Sequence, residues 1–478
     1  MLDIKKIVGS SYPYVIFGLL LLYGYFSEKI PVHQGLGFHA SEIADRVADL
    51  SGLFRGEYSP NWLRHMLPTA LLHYVFKLFS YQPAAREIVL SCTALNCACI
   101  FGMLLLWKRI CKTLKINGLG EATGAIALSV NGMVKFLMFY PSMVYDGPSY
   151  FLGMLALHLW LARKQIFLFL VIVVSTGIHE TVTLSALILF LFPPRDVAGE
   201  ESAKKTFAPA FSATALSLFA VVYGFVMYNI DISYFRSLNY TAIKSNDIIL
   251  LSIFVAVSYL STSLYAIMTN VTLSARPFTQ IFAVKLVVVV PMLYLLGKII
   301  FHFSSQEINP LSLFPANIFY YIGNATYDAP GYFLVVKLVS FGPLVVLAAL
   351  FWKDFVTTVM KFGAGITLCL FFAIFRVLET ESRHFLEIFP ILLPFIILAC
   401  QHRLNTNRLL YFFFVSVIFS KLWAPLSSNF PEYYFWGFGS FFSSFQGYVI
   451  QLVATLFCFL FTFIAFQNSD VDRITSGN

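Results

Sequence analysis

The residues with the clearest capacity for chemistry lie in GFHASEIADRVADL, where Glu42, Asp45 and Asp49 recur at i, i+3 and i+7. Positions so spaced share one face of a helix, and the three carboxylates form an acidic stripe. A carboxylate held beside a reacting hydroxyl can act as its general base. The simpler alternative is a solvated face on which Glu42 pairs with Arg46 at i+4.

Three further groups combine charge with an apolar setting. Asp146 stands in YPSMVYDGPSY, where Asp-Gly-Pro is equally good turn chemistry. His179 and Glu180 interrupt a run that is otherwise apolar from Ile166 to Phe192. Ionisable groups at membrane depth are costly unless paired or facing water, so they mark functional sites by default. A structural His-Glu pair within a broken helix is the alternative. ETESRHFLEIFP carries Glu379, Glu381, Arg383 and His384 ahead of an apolar segment. A guanidinium there suits a phosphate, to which its planar fork donates two charge-assisted hydrogen bonds, and an interfacial anchor is the plain alternative.

The elements that must position these groups are membrane helices. Apolar residues make up 59% of the chain and charged residues 12%, far from the soluble average of about one quarter charged. A span needs about 20 apolar residues, and shorter ones fit inside a bundle. By that measure the chain is an all-α polytopic membrane protein with about 13 to 14 transmembrane helices. They fall near residues 10–27, 87–107, 120–140, 148–163, 165–178, 181–193, 207–229, 248–269, 281–302, 332–352, 355–377, 385–400, 409–424 and 440–466. The whole chain, 1–478, reads as a single transmembrane domain, with 28–85 an extracytoplasmic loop whose interfacial helices form part of the site.

Lys and Arg in the short connections set the orientation. Lys108, Arg109, Lys112 and Lys115, then Arg163 and Lys164, Arg195, Lys204 and Lys205, Arg276, Lys353, and Arg403 with Arg408 mark every second connection. Both termini are therefore expected in the cytoplasm and the unusual polar residues on the opposite side. The net charge of +8 then needs no nucleic-acid partner. In the first loop, Gly35 and Gly37 mark a turn, a helix is predicted from about His39 to Leu53, and GEYSPNWLRHMLP leads into a helix opened near Pro60 and kinked or capped at Pro68. The segment Leu67 to Phe79, interrupted by His73 and Lys77, reads as an amphipathic helix in the interface. Seven cysteines without metal-ligand spacing read as free, buried thiols. The first apolar segment reads as a retained helix rather than a cleaved signal.

The order of these features resembles that of the C-type (GT-C) membrane glycosyltransferases. The likeness rests on a first span followed by a long loop with Glu42, Asp45, Tyr58, Arg64 and Pro68, on the YPSMVYDGPSYFLG turn, on STGIHETVTLSALILF, and on ESRHFLEIFPILLP. It covers roughly residues 1–195 and 379–395. It implies transfer of a sugar from a polyprenyl-phosphate donor to a glycan or lipid-linked acceptor, with inversion, no metal and no cofactor. Glu42 or Asp45 would be the base, and Arg383, with Arg64, would stabilise the leaving phosphate. Asp146, His179 and Glu180 would shape the sugar or acceptor pocket, with Tyr58 beside it. Relatives in that superfamily carry Asp-Gly a few residues before the Glu-Ile-Ala of this loop, where this chain has Leu36-Gly37. That leaves both acids as candidates for the base and adds His39 as a residue that orients or replaces it. Membrane lipids are expected as partners and a bacterial inner membrane is the preferred location, with the active site extracytoplasmic.

Two other functions compete. O-antigen polymerases and ligases also use lipid-linked sugars but rely on arginine and histidine in large late loops, whereas 303–331 contains no arginine. A transporter or flippase of a lipid-linked sugar would place its site in paired interrupted helices of two related halves, and only the His179-Glu180 interruption is evident.

Overall fold

The computed structural model describes residues 4–27, 43, 45–58, 63, 65–139, 144–195, 246–270, 280–302, 332–378, 383–423 and 445–467. Most of them are helical, and no extended strand occurs among them. The first half contains α1 (Ile4–Phe26), α2 (Met66–Leu78), α3 (Ala85–Leu114), α4 (Gly118–Ser129), α5 (Gly132–Phe139), α6 (Asp146–Leu161), α7 (Gln165–Ser175) and α8 (Glu180–Leu191). The second contains α9 (Asn246–Asn270), α10 (Gln280–His302), α11 (Tyr332–Phe341), α12 (Leu344–Leu350), α13 (Trp352–Lys361), α14 (Ala364–Val377), α15 (Arg383–Leu386), α16 (Phe389–Cys400), α17 (Thr406–Ser420) and α18 (Phe445–Gln467).

Two of these are long and apolar enough to cross a membrane unaided, α3 and the stretch Val449–Phe466 of α18. The remaining apolar helices are mostly shorter, because several expected spans are broken. The segment 120–140 divides into α4 and α5 at Asn131, whose Nδ2 donates to Ala127 O (2.7 Å) while its Oδ1 accepts from Val134 N (2.9 Å). The segment 332–352 divides at Gly342, in the left-handed region at φ 73°, followed by Pro343. The segment 355–377 is not one span either. Its first part is α13, which buries Phe355, Val356 and Val359 and carries Lys353, Asp354 and Lys361, and it ends in a turn at Gly363 (φ 106°). Mixed polar and apolar faces of that kind suit a short interfacial helix better than a lipid-immersed one.

The centre is built by α3 and α6, with α7, α8 and α16 packed on α6 and α14 packed in turn on α8. Trp107 is fully buried, its Nε1–H donating to Glu121 O (2.9 Å), and its ring fills the space left open at Gly124, where a Cβ would lie 2.1 Å from Cζ2. Trp160 is fastened the same way, to Phe192 O (2.7 Å). Away from this centre, α18 exposes Ile450, Leu456, Phe457, Leu460 and Phe461. A contiguous apolar face of that size is suited to lipid or another protein surface. All seven cysteines are free, and every one except Cys99 is buried.

The first-loop helix ends earlier than the sequence pattern predicts. Residues 45–48 are helical, Asp49 leaves the helix, and a separate turn follows over Ser51–Phe54. The cause is local: the Asp49 carboxylate accepts from Ser51 N (2.8 Å) and Ser51 Oγ (2.9 Å), a competing turn that stops the helix. Asp49 therefore caps the next turn rather than completing an acidic stripe. The segment Leu67 to Phe79 is helical, as α2, with Met66, Thr69 and Leu72 buried and Leu71, Tyr74, Val75 and Leu78 exposed. Pro68 stands in its first turn, where a missing N–H removes no helical bond.

Candidate functional site

The site starts from the gap between α7 and α8. Gly177 and Ile178 cannot continue α7, and His179 takes an extended conformation (φ −164°, ψ 137°) as the N-cap of α8. The backbone carbonyls freed by this break are taken up by the first loop. Leu67 N donates to Gly177 O (2.9 Å), and His65 Nδ1 lies 2.6 Å from Ile178 O. These two bonds bring His65 beside His179, with ring centroids 5.1 Å apart, and His65 also stacks on Tyr145 at 4.3 Å.

Tyr145 leads into α6, whose first residue is Asp146. Close approach at this end depends on Gly147, where a Cβ would meet Asn96 Oδ1 at 2.2 Å. Asn96 is itself held by donating from Nδ2 to Leu137 O (3.0 Å). One and a half turns further along α6, Gly153 lets the backbone between α15 and α16 pack against the helix: a Cβ would lie 2.2 Å from Glu387 O. That contact sets Glu387, whose Oε1 is 2.9 Å from His179 Nδ1. His384, one turn before Glu387, places its ring 5.8 Å from that of His179. From the opposite side α14 supplies Arg376, whose Nη2 donates to Thr181 Oγ1 (3.0 Å).

The result is a cluster assembled from five separated segments. Asp146, His179 and Glu387 are 1%, 3% and 1% exposed. Glu387, Glu180 and Asp146 are the carboxylates whose charge acts on His179, and Glu180 feels His179, His65 and Arg376. Carboxylates, imidazoles and a guanidinium are thus gathered at one place, and buried charges of this kind are tolerated only when they are paired.

His179 Nδ1 has two neighbours that ask for opposite protonation. Thr181 N points at it from 3.3 Å and would need it bare, whereas the Glu387 carboxylate at 2.9 Å favours a proton there. The shorter, charge-assisted contact prevails when the ring is charged or when Nε2 is used for binding.

Of the residues singled out in the sequence, Asp146, His179 and Glu180 meet here. Asp45 is exposed. Tyr58 lies in the first-loop platform instead, its hydroxyl donating to Asp49 O (3.4 Å) and its ring carrying the Arg46 guanidinium at 4.6 Å. Arg383 opens α15, four residues before Glu387. His39, Glu42 and Arg64 lie outside the described residues. In the platform, hydrogen bonds from Ser51 hold Asp49 below the usual carboxylate range, and Arg55, 2.5 Å from Glu57, does the same for that acid.

Four members of the cluster escaped the sequence reading as site residues. Glu387 and His384 stand in the quoted motif ESRHFLEIFP, but their i, i+3 spacing reads equally as the polar edge of an interface. Arg376 sits inside an apolar segment, which was itself the available signal, since an arginine at such a place needs a partner. His65 offered no signal, because its role depends on two carbonyls more than 110 residues away.

No family model, curated protein or solved structure matches this chain.

Proposed function

We propose that the chain is a membrane glycosyltransferase that moves a sugar from a polyprenyl-phosphate donor to a glycan or lipid-linked acceptor. The reaction takes place on the extracytoplasmic face of a bacterial inner membrane, with both termini in the cytoplasm. The observation that carries this reading is the meeting of buried Asp146, His179, His384, Glu387 and Arg376 with half-buried Glu180, beside the first-loop segment that delivers His65. An all-apolar bundle has no need of it, and sugar and phosphate recognition calls for such a set of donors and acceptors.

In the proposed reaction the acceptor oxygen attacks the anomeric carbon from the face opposite the phosphate. Its proton passes to a first-loop carboxylate, Glu42 or Asp45. The bond from carbon to phosphate oxygen breaks, and its electron pair leaves with the phosphate. Cations preorganised at that oxygen lower the barrier, a role suited to Arg376 and Arg383. Asp146 and Glu180 are placed to accept hydrogen bonds from sugar or acceptor hydroxyls.

Membranes containing the protein, incubated with polyprenyl-phosphate-linked sugar, should form a glycosylated product. Glu42→Gln or Asp45→Asn should abolish it, and Arg376→Gln should slow it. Normal transfer by both acid variants alike removes the base assignment. Movement of the lipid-linked sugar between leaflets with no product makes the protein a carrier instead.

A further inference from the structure

His65, His179 and Glu180 each offer one ligand atom, and the three atoms lie within 4.8 Å of one another. An ion about 2 Å from each ligand would draw these atoms to roughly 3.3 Å apart, a closing movement that side-chain torsions can supply from this starting separation. The neighbours of these side chains are those that a metal site needs. A ligating imidazole usually donates its other N–H to a carbonyl or a carboxylate, which fixes the tautomer and aims the remaining nitrogen. His65 has its Nδ1 2.6 Å from Ile178 O, and His179 has its Nδ1 2.9 Å from Glu387 Oε1. Both contacts direct ligation to Nε2. A third observation is independent of the histidines: Glu180 Oε2 is buried and accepts no hydrogen bond among the described residues. A carboxylate oxygen withdrawn from water without a donor lacks the partner that a cation would be.

We propose that His65, His179 and Glu180 form a binding site for a divalent cation of the zinc class, with Glu387 and the Ile178 carbonyl orienting the two imidazoles. Two nitrogens and one oxygen select Zn2+ over Mg2+ or Ca2+, which prefer all-oxygen shells. Three protein ligands leave a coordination position open, as in zinc sites that bind water or an anionic substrate. Metal ligation through Nε2 places the proton of His179 on Nδ1, and Glu387 is the acceptor waiting for it. The family resemblance implied no metal, and the three ligands come from two distant segments with no ligand spacing in the chain. The inference does not depend on the proposed transfer reaction, although a phosphate oxygen is a natural occupant of the open position.

The test uses the full chain purified in detergent through a tag without histidine, stripped with a chelator and desalted. After incubation with Zn2+ and a second desalting, elemental analysis should find one zinc per chain. Co2+ should give the intense visible absorption of a four- or five-coordinate ion. Glu180→Gln and His179→Gln should lose the zinc and the Co2+ band. Glu387→Gln, which deletes no ligand, should weaken zinc about 10- to 100-fold. His158→Gln should change neither. Circular dichroism and gel filtration on each variant report whether it folds, and Glu387→Gln reads the site even if a ligand variant does not. Zinc below one tenth per chain in the wild type, or full retention by Glu180→Gln and Glu387→Gln alike, overturns the proposal. Because every readout is metal content or a spectrum, its failure leaves the transferase reading standing, and failure of transfer leaves the metal site standing.

Discussion

Replacing Gly153 by alanine should open the site from a distance. A Cβ at this position would lie 2.2 Å from Glu387 O and 3.1 Å from Pro390 Cγ, whereas ordinary contact begins at 3.4 Å. Backbone must therefore give by about 1.2 Å, the difference between the two contact distances. Neither neighbour is the far end of a flexible side chain, so the helix bearing Gly153 and the segment bearing Glu387 have to separate. Overpacking of this kind costs about 1–3 kcal/mol. If Glu387 takes up most of the shift, its 2.9 Å contact with His179 lengthens to about 4 Å, past hydrogen-bond range. His179 then loses the carboxylate that orients it while every site side chain is still present. The control is Gly118→Ala, at an exposed helical position where a Cβ meets nothing within 4 Å. That change should be neutral or stabilise by about 0.5–1 kcal/mol. Thermal unfolding in detergent should show Gly153→Ala clearly below wild type and Gly118→Ala at or above it, with zinc retention and sugar transfer falling only in the first. Equal melting of the two variants with unchanged zinc and transfer would refute the packing argument.

Other perturbations read other parts of the molecule. Gly124→Ala should be strongly destabilising, because its Cβ would lie 2.1 Å from a ring atom of the fully buried Trp107, and a melt or a loss of Trp fluorescence shift would register it. A small maleimide should label none of the buried cysteines in the native protein and Cys99 first as denaturant is added, which peptide mapping can follow. The Ser51–Phe54 turn should loosen in acid. Hydrogen bonds from Ser51 lower the pKa of Asp49 in the fold, so the stabilisation is complete above the ordinary carboxylate range and disappears as pH falls through the lowered value. Amide protection at 51–54, corrected for the intrinsic exchange rate, should fall below about pH 4 in the wild type and show no such step in Asp49→Asn.

Helical class and the positions of most helices were legible because apolar runs are the strongest signal a sequence carries. The run 87–107 became part of α3, and the interrupted segment after Leu67 became α2. Breaks were less legible. Asn131, Gly342 and Gly363 divide segments whose mean hydropathy hides them, since one residue in a left-handed or capping conformation outweighs a window of twenty. In the site, His179, Glu180 and Asp146 were visible as charges in apolar surroundings. Glu387 and His65 were not, because what assigns them is the approach of Gly153 to one backbone and of Leu67 to another. Asp49 shows the converse error: its helical spacing was real, but a serine two residues on captured the carboxylate.

The cluster's dispersal along the chain also bears on biosynthesis. His179 is made 208 residues before Glu387, and His65 waits for carbonyls 113 residues downstream. At the usual synthesis rate of 5–20 residues per second, His179 and Glu180 spend about 10–40 s in the nascent chain before Glu387 exists. Over that interval a charged pair stands at the break between two apolar helices with no acidic counterpart from α15. The α7–α8 break therefore completes its contact with Glu387 only after α15 and the residues following it have been made. Chains truncated between α8 and α15 should be cleared by membrane proteases faster than chains that reach α16.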